Sequence, residues 1–315
     1  VIFMQAGFAM LETGFTRSKN AGNIVMKNIM DICIGAPLFI IFGFGLMHGN
    51  GNGIIGKLDL MLQGDYSSIL PEGVSLYAYI FFQLAFCATA ATIVSGAMAE
   101  RTKFSAYCVY SAVISTLVFP VIGHWIWGNG WLSQMGFHDF AGGTVVHTVG
   151  GMSALVGAWL LGPRIGKYTK NGESKAIPGH NITLGALGVL ILWFGWYGFN
   201  GGSALFMEGD KVELAGKIFL NTTMAATVSA VTAMITSKLK YKKTDVSMSV
   251  NGLLAGLVAI TAGCDKVNIL GAVTIGAFAG IILVNAIDII DKKLKVDDPV
   301  GAIAAHGVSG IFGTC

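Results

Sequence analysis

Ten apolar runs, most of them close to the ~20 residues an α-helix needs to cross a lipid bilayer, divide this 315-residue chain from end to end. They fall at approximately 1–16, 29–48, 76–99, 104–128, 140–162, 181–206, 216–237, 247–264, 268–290 and 299–315. The runs are continuous in hydropathy, whereas a transmembrane barrel needs short segments of alternating polarity. Composition agrees: 54% of residues are hydrophobic and 12% charged, with mean hydropathy +0.68, where a soluble domain carries about 25% charge. A disordered chain and an ordinary cytosolic enzyme are thereby excluded. So is a nucleic-acid binder, because a net charge of +3 and scattered basic residues make no phosphate-tracking stripe. Forty-four glycines against six prolines suit helices whose backbones approach closely through small residues. The expected fold is an all-α polytopic membrane protein, residues 1–315 forming one transmembrane domain.

The basic residues test the number of spans independently, because loops on the cytoplasmic side are enriched in lysine and arginine. The clusters Arg17 to Lys27, Arg101 to Lys103, Arg164 to Lys175, Lys238 to Lys243 and Lys292 to Lys295 all fall in alternate connections. Only Lys57, Lys211, Lys217 and Lys266 fall between them, a split of sixteen to four. One miscounted span would break the alternation from that point on. The pattern places the N-terminus outside and the chain in a cell membrane, inner or plasma, as a multi-pass protein.

Two segments share a layout of polar residues: Asp139-Phe-Ala-Gly-Gly-Thr-Val-Val-His147 and Asp298-Pro-Val-Gly-Ala-Ile-Ala-Ala-His306. In each an aspartate is placed to cap a helix start, with Pro299 suited to a first helical turn, and a histidine follows eight positions on. Eight helical residues put that histidine about 12 Å inside the helix end, near the middle of a bilayer. Equivalent segments five spans apart and opposite in direction mark an inverted repeat, approximately 1–162 and 181–315, with its functional site where the halves meet. His147 and His306 are therefore expected to face one another in a shared pore. Each imidazole offers one donor and one acceptor, enough to relay a proton or hold a small polar molecule. A lone intramembrane histidine reads equally well as a hydrogen bond between helices; two at matching repeat positions do not. No Cys, Asp or Glu stands at a spacing that would join them in a metal site. His48, His124, His138 and His180 read as interfacial. The five cysteines Cys33, Cys87, Cys108, Cys264 and Cys315 show no CxxC spacing and read as small core residues. The chain opens without a methionine in Val1-Ile-Phe-Met and stops within Gly310-Ile-Phe-Gly-Thr-Cys315, as a piece of a longer protein would.

Six motifs carry a resemblance that spans the chain. They are Gly7-Phe-Ala-Met-Leu-Glu-Thr-Gly-Phe-Thr-Arg-Ser-Lys-Asn20, Gly96-Ala-Met-Ala-Glu-Arg101, the two aspartate-histidine segments, Phe194-Gly-Trp-Tyr-Gly-Phe-Asn-Gly-Gly-Ser203, and Asn251-Gly-Leu-Leu-Ala-Gly-Leu-Val-Ala-Ile-Thr-Ala-Gly-Cys264. Together they resemble the ammonium transporter family, Amt/Mep, with Rh proteins as distant relatives. The resemblance implies eleven spans, the eleventh and a C-terminal tail being absent from the sequence in hand. It also implies an outer vestibule in which Trp127, Phe86 and Ser203 recruit ammonium. A gate follows, formed by the stacked rings of Phe86 and Phe199, then a pore lined by His147, His306 and Trp196. Asp139 and Asp298 act as structural and electrostatic supports. The chemistry is apt, since aromatic faces attract a cation and a hydroxyl accepts from N–H without a buried counter-charge. Read without the family, Phe82 and Phe86 fit helix packing and Trp127 fits an interfacial anchor. Glu12, Arg17 and Asn20, at the end of the first span, read as packing or ion-pair residues.

What the resemblance implies for function is ammonium or ammonia transport, with methylammonium as analogue, no enzymatic activity and no cofactor. It further implies a homotrimer in the lipid bilayer and a PII-type regulatory protein at the cytoplasmic face. A competing reading is an ammonium sensor of the same fold, coupled through its tail to a histidine kinase or other signalling domain. A water or glycerol channel is disfavoured because no Asn-Pro-Ala occurs in the chain, and an ion-driven amino-acid transporter, which would share the inverted repeat, lacks these motifs.

Overall fold

The computed structural model describes residues 1–209 and 211–315. Helix starts follow from local chemistry: the side chains of Asn181, Asp245 and Asn268 each accept a backbone N–H three residues on, from Leu184, Met248 and Gly271. Such caps satisfy donors that have no partner within the helix. Ten helical rods result among the described residues. They are α1 (Met4–Phe15), α2 (Ser18–His48), α3 (Leu76–Ala97), α4 (Phe104–Val113, Ile114–Val118 and Phe119–Trp127 in succession), α5 (Gly143–Leu161), α6 (Ile182–Ala204), α7 (Lys211–Tyr241), α8 (Val246–Thr261), α9 (Ile269–Lys293) and α10 (Ile303–Val308 continued by Ser309–Thr314). Seven of them are long and apolar enough to cross a membrane by length and composition; α1, α8 and α10 are shorter. This is a multi-pass helical membrane protein.

One rod differs from the rest. In α3, 89% of the apolar window is buried inside the protein, against 33–44% in the other six long helices. A helix that is apolar all round belongs in the interior, and α3 is the central pillar. The others turn side chains such as Trp159, Leu160, Phe194, Leu270 and Phe278 outward, as a lipid-facing surface requires. Packing partners match between the first five rods and the last five. As α2 packs on α3 and α4, so α7 packs on α8 and α9; as α3 meets α5, so α8 meets α10; α1 against α6 and α5 against α10 join the two groups.

At one end, four connections are tied by charge. Arg17 pairs with Glu100 at 2.7 Å, and Arg164 with Glu100 at 3.3 Å and with Asp297 at 2.8 Å. Arg101 donates to the carbonyls of Gly162 and Asp297. The basic connections thus share one end of the bundle. Burial pushes the Asp297 carboxyl up, but hydrogen bonds and charge from Arg164 outweigh it and hold the group below its ordinary value. A depressed carboxylate contributes stability above its unfolded pKa, about 4, that is lost as pH falls through the lower folded value. Replacing Asp297 by Ala leaves Arg164 buried with Glu100, at 3.3 Å, as its remaining acidic partner. The expected loss is about 3 kcal/mol, read as a lower melting midpoint in detergent at pH 7, with the gap to the parent closing at strongly acidic pH.

Several sequence expectations change. Helix α2 begins at Ser18, not near 29. Lys27 and Asn28, which the run at 29–48 leaves in the connection before it, and Asp31, just inside that run, are all buried within α2. Lys27 Nζ donates to the Ser95 carbonyl, and one oxygen of Asp31 accepts from Tyr107 and Thr92, so these polar side chains find partners inside the helix bundle. His48 and His124 are buried, not interfacial. The His124 ring bridges the Met47 and Asn52 carbonyls, pinning the connection after α2 over both. His138, by contrast, is exposed beside Asp265. Of the cysteines, Cys87 and Cys264 are core residues, while Cys33 and Cys315 are exposed on the helix surface.

Candidate functional site

Helices α5 and α10 start in the same unusual way. Gly142 and Gly301 hold positive φ, 101° and 80°, a conformation that ends any helix approaching from before and that glycine adopts without strain. The Asp139 carboxylate accepts from the backbone N–H of Gly142, Gly143, Thr144 and Val145; Asp298 accepts from Gly301 and Ile303. The helices therefore begin after the glycines, not at the aspartates, and Pro299 lies in the bend ahead of α10. Each histidine stands in a π-helical first turn, Gly143–Thr148 or Ile303–Val308, the wider winding that recurs at functional sites. The 12 Å of helix expected from spacing alone is shortened, because three of the seven residues between each aspartate and its histidine are non-helical.

The two histidines meet. Nδ1 of His147 and Nδ1 of His306 are 3.1 Å apart, the rings stacked at 20°, although 159 residues separate them. One Nδ1 must carry the proton and the other accept it. Neutral imidazoles then have one Nε2 as acceptor and one Nε2–H as donor. His147 Nε2 is buried without a partner. Its ring is held flat against Trp196, centroids 4.9 Å apart at 13°, and Trp196 is held in turn by its indole N–H donating to Thr261 Oγ1 at 3.0 Å.

Above the pair a column of rings continues. Phe199 lies 5.3 Å from His147, and Phe86 stacks on Phe199 at 4.1 Å. Both phenylalanines are completely buried, so the column is closed. Trp127 meets Phe86 edge-on at 5.8 Å, and Phe82 lies 4.5 Å from it. The Trp127 N–H is spent on the Asp139 carbonyl, which leaves the indole face as its free surface. Ser203 Oγ donates to the Phe199 carbonyl at 2.9 Å, and its lone pairs remain to accept an N–H. Phe86, Phe199, Trp196, His147 and His306 thus form one chain of ring contacts, with Trp127 against Phe86 and with Asp139 and Asp298 at the starts of the two helices that carry the histidines.

Sequence reasoning missed others. Thr261 orients Trp196, and Phe8 lies 6.2 Å from His306. Glu12 is fully buried on α1 and lines a small closed cavity with His306, so a carboxylate does lie near the histidines. An acid within an apolar run was the available signal.

A closed column of aromatic and imidazole rings where two capped helices meet, inside a multi-pass helical bundle, is the build of a membrane transport protein. A family model described as Ammonium Transporter Family matches residues 1–315. The chain is 49% identical to ammonium transporter Amt2 of Archaeoglobus fulgidus, over 99% of this chain and 67% of that one. It is 38% identical to ammonium transporter 3 of Dictyostelium discoideum, over 100% and 71%. Among solved structures, one titled Sensor Amt Protein superposes with TM-score 0.94 at 44% identity, covering 99% of this chain and 77% of that one. Mep2 of Candida albicans superposes with TM-score 0.87 at 31% identity, covering 99% and 68%. The chain belongs to the ammonium transporter family.

Proposed function

We propose that this chain conducts ammonium across a cell membrane by splitting it into ammonia and a proton. Ammonium is recruited at the mouth, where the faces of Trp127 and Phe86 attract the cation and Ser203 accepts one of its N–H groups. It loses its proton at or below the Phe86–Phe199 gate and crosses as ammonia past Trp196, His147 and His306. The observation that carries this reading is the uninterrupted ring column, Phe86 to Phe199 to His147 to His306, which contains no fixed charge. A bare cation at membrane depth is costly without a counter-charge, and a substrate that sheds its charge fits the gap. The histidines pass the proton separately, the donor and acceptor roles of Nδ1 exchanging between them. Asp139 and Asp298 support this by fixing the two half-helices.

Around this core, five helices and five related helices form an inverted repeat, approximately 1–162 and 181–315, an assignment supported by their matching packing partners. The N-terminus lies outside and the basic end faces the cytoplasm, in an inner or plasma membrane. Three copies assemble with one pore each, and a PII-type protein docks at the basic end. The sensor reading is not favoured, since the family model and the curated relatives are described as transporters.

The test is electrical. Replacing His147 by Ala in proteoliposomes is expected to lower the ammonium- and methylammonium-evoked current by about 100-fold, the usual worth of a positioned proton-transfer group. An unchanged, ammonium-selective current would remove the histidine relay.

A further inference from the structure

Below the histidine pair lies the closed cavity shared by His306 and Glu12, bounded also by Phe8, Thr92, Asn251 and Val300. Its free volume is about 10 Å³, close to what one water requires. Asn251 and Val300 are also walls of a second cavity, about 830 Å³, that opens at the basic end among Arg164, Lys167 and Asp298. The two spaces are thus neighbours across one side-chain constriction. Glu12 is 1% exposed. Its Oε2 accepts from Ser95 Oγ at 2.8 Å, which ties α1 to α3. Its Oε1 is buried with no partner. An unpaired buried oxygen costs about 1–3 kcal/mol; Asp31 on α2 also leaves one oxygen without a partner, and what sets Glu12 apart is the water-sized space it shares with His306. Lys27, Asp31 and Asn28 face it from α2, Thr92 and Ser95 from α3, and His306 across the cavity from α10.

We propose that Glu12 is the proton acceptor below the histidine pair, taking the proton from His306 through one water and releasing it to the basic-end cavity past Asn251. This rests on the proposed separation of ammonia and proton. The step balances without oxidant or reductant: an N–H bond breaks at His306, the water takes that proton while giving one of its own, and an O–H bond forms at Glu12 Oε1. Release to water in the larger cavity restores the carboxylate. Lys27, on the neighbouring α2, is engaged with the Ser95 carbonyl.

The experiment uses the chain in proteoliposomes with two readouts after an ammonium pulse. These are the membrane current and the protein-dependent part of the internal alkalinisation rate, measured against empty vesicles. Glu12→Gln keeps size and an acceptor for Ser95 but holds no exchangeable acid. It is expected to lose current by about 100-fold while the protein-dependent alkalinisation rises above that of the parent, because ammonia still passes but its proton no longer follows. Glu12→Asp, still titratable but one methylene shorter, is expected to give an intermediate current. An unchanged current in Glu12→Gln overturns the proposal. So does a loss of current with no rise in alkalinisation in both variants, which marks Glu12 as structural. If the unsubstituted chain itself carries no current, the separation of proton and ammonia falls, and the role of Glu12 falls with it, a result visible before any substitution.

Discussion

Asp139→Ala is expected to cost about 4 kcal/mol or more and to abolish conduction with it. Four backbone N–H groups, those of Gly142, Gly143, Thr144 and Val145, converge on this carboxylate at 2.8–3.0 Å. A buried donor left without its acceptor costs about 1–3 kcal/mol, and no second acceptor stands nearby to relieve more than some of them. Asp139→Asn separates charge from geometry. Its one oxygen still serves two donors, but its NH2 faces the other two, so about half the loss is expected. Asp298→Ala, which frees fewer N–H groups, ranks below Asp139→Ala. Melting midpoints in detergent give the order directly. An Asp139→Ala protein that melts with its parent would show that the start of α5 is held by something else.

The second large effect comes from a position with no side chain. Gly151 of α5 crosses Gly307 of α10 so closely that a Cβ there would lie 2.1 Å from the Gly307 nitrogen and 2.3 Å from its Cα. Those are backbone atoms, and they yield only if the helices part. His147 lies one turn before Gly151, and His306 is next to Gly307, so parting the helices also opens the 3.1 Å histidine contact. Gly151→Val is expected to cost about 3 kcal/mol or more, at the upper end of overpacking effects, and to remove ammonium-evoked current. Gly22, exposed on α2 with nothing within 4 Å of its added Cβ, is the control. There alanine is expected to stabilise by about 0.4–1 kcal/mol. If Gly151→Ala raises the melting midpoint as Gly22→Ala does, the close crossing has no energetic weight.

Much of this was legible in one dimension. Hydropathy over windows of about 20 residues reports a property of consecutive residues, and the span positions follow from it because lipid imposes the same demand on each helix. The alternating basic clusters placed five connections together, and the structure gathers them at one end. The paired spacing of Asp139 with His147 and of Asp298 with His306 marked the two broken helices, because a cap and its helix are neighbours in sequence. Where hydropathy misled, the reason was burial against protein. Lys27 looked like a loop residue until Ser95, far along the chain, was brought to it, and Asp31, a charge inside an apolar run, finds Thr92 and Tyr107 there. His48 and His124 looked interfacial until a connecting segment folded over them.

By itself, then, the sequence determined the helices, their number, which connections carry the basic residues, and the family. Only the tertiary structure decided that His147 and His306 share one hydrogen bond, that Phe86 and Phe199 close the column above them, and that Glu12 opens into a cavity beneath. Hydropathy, capping and charge alternation act over a few residues or a single helix and leave their mark locally. A contact across 159 residues depends on how near two backbones can come. Here that is set by Gly151 against Gly307, and a glycine in a sequence does not say which other glycine it will meet.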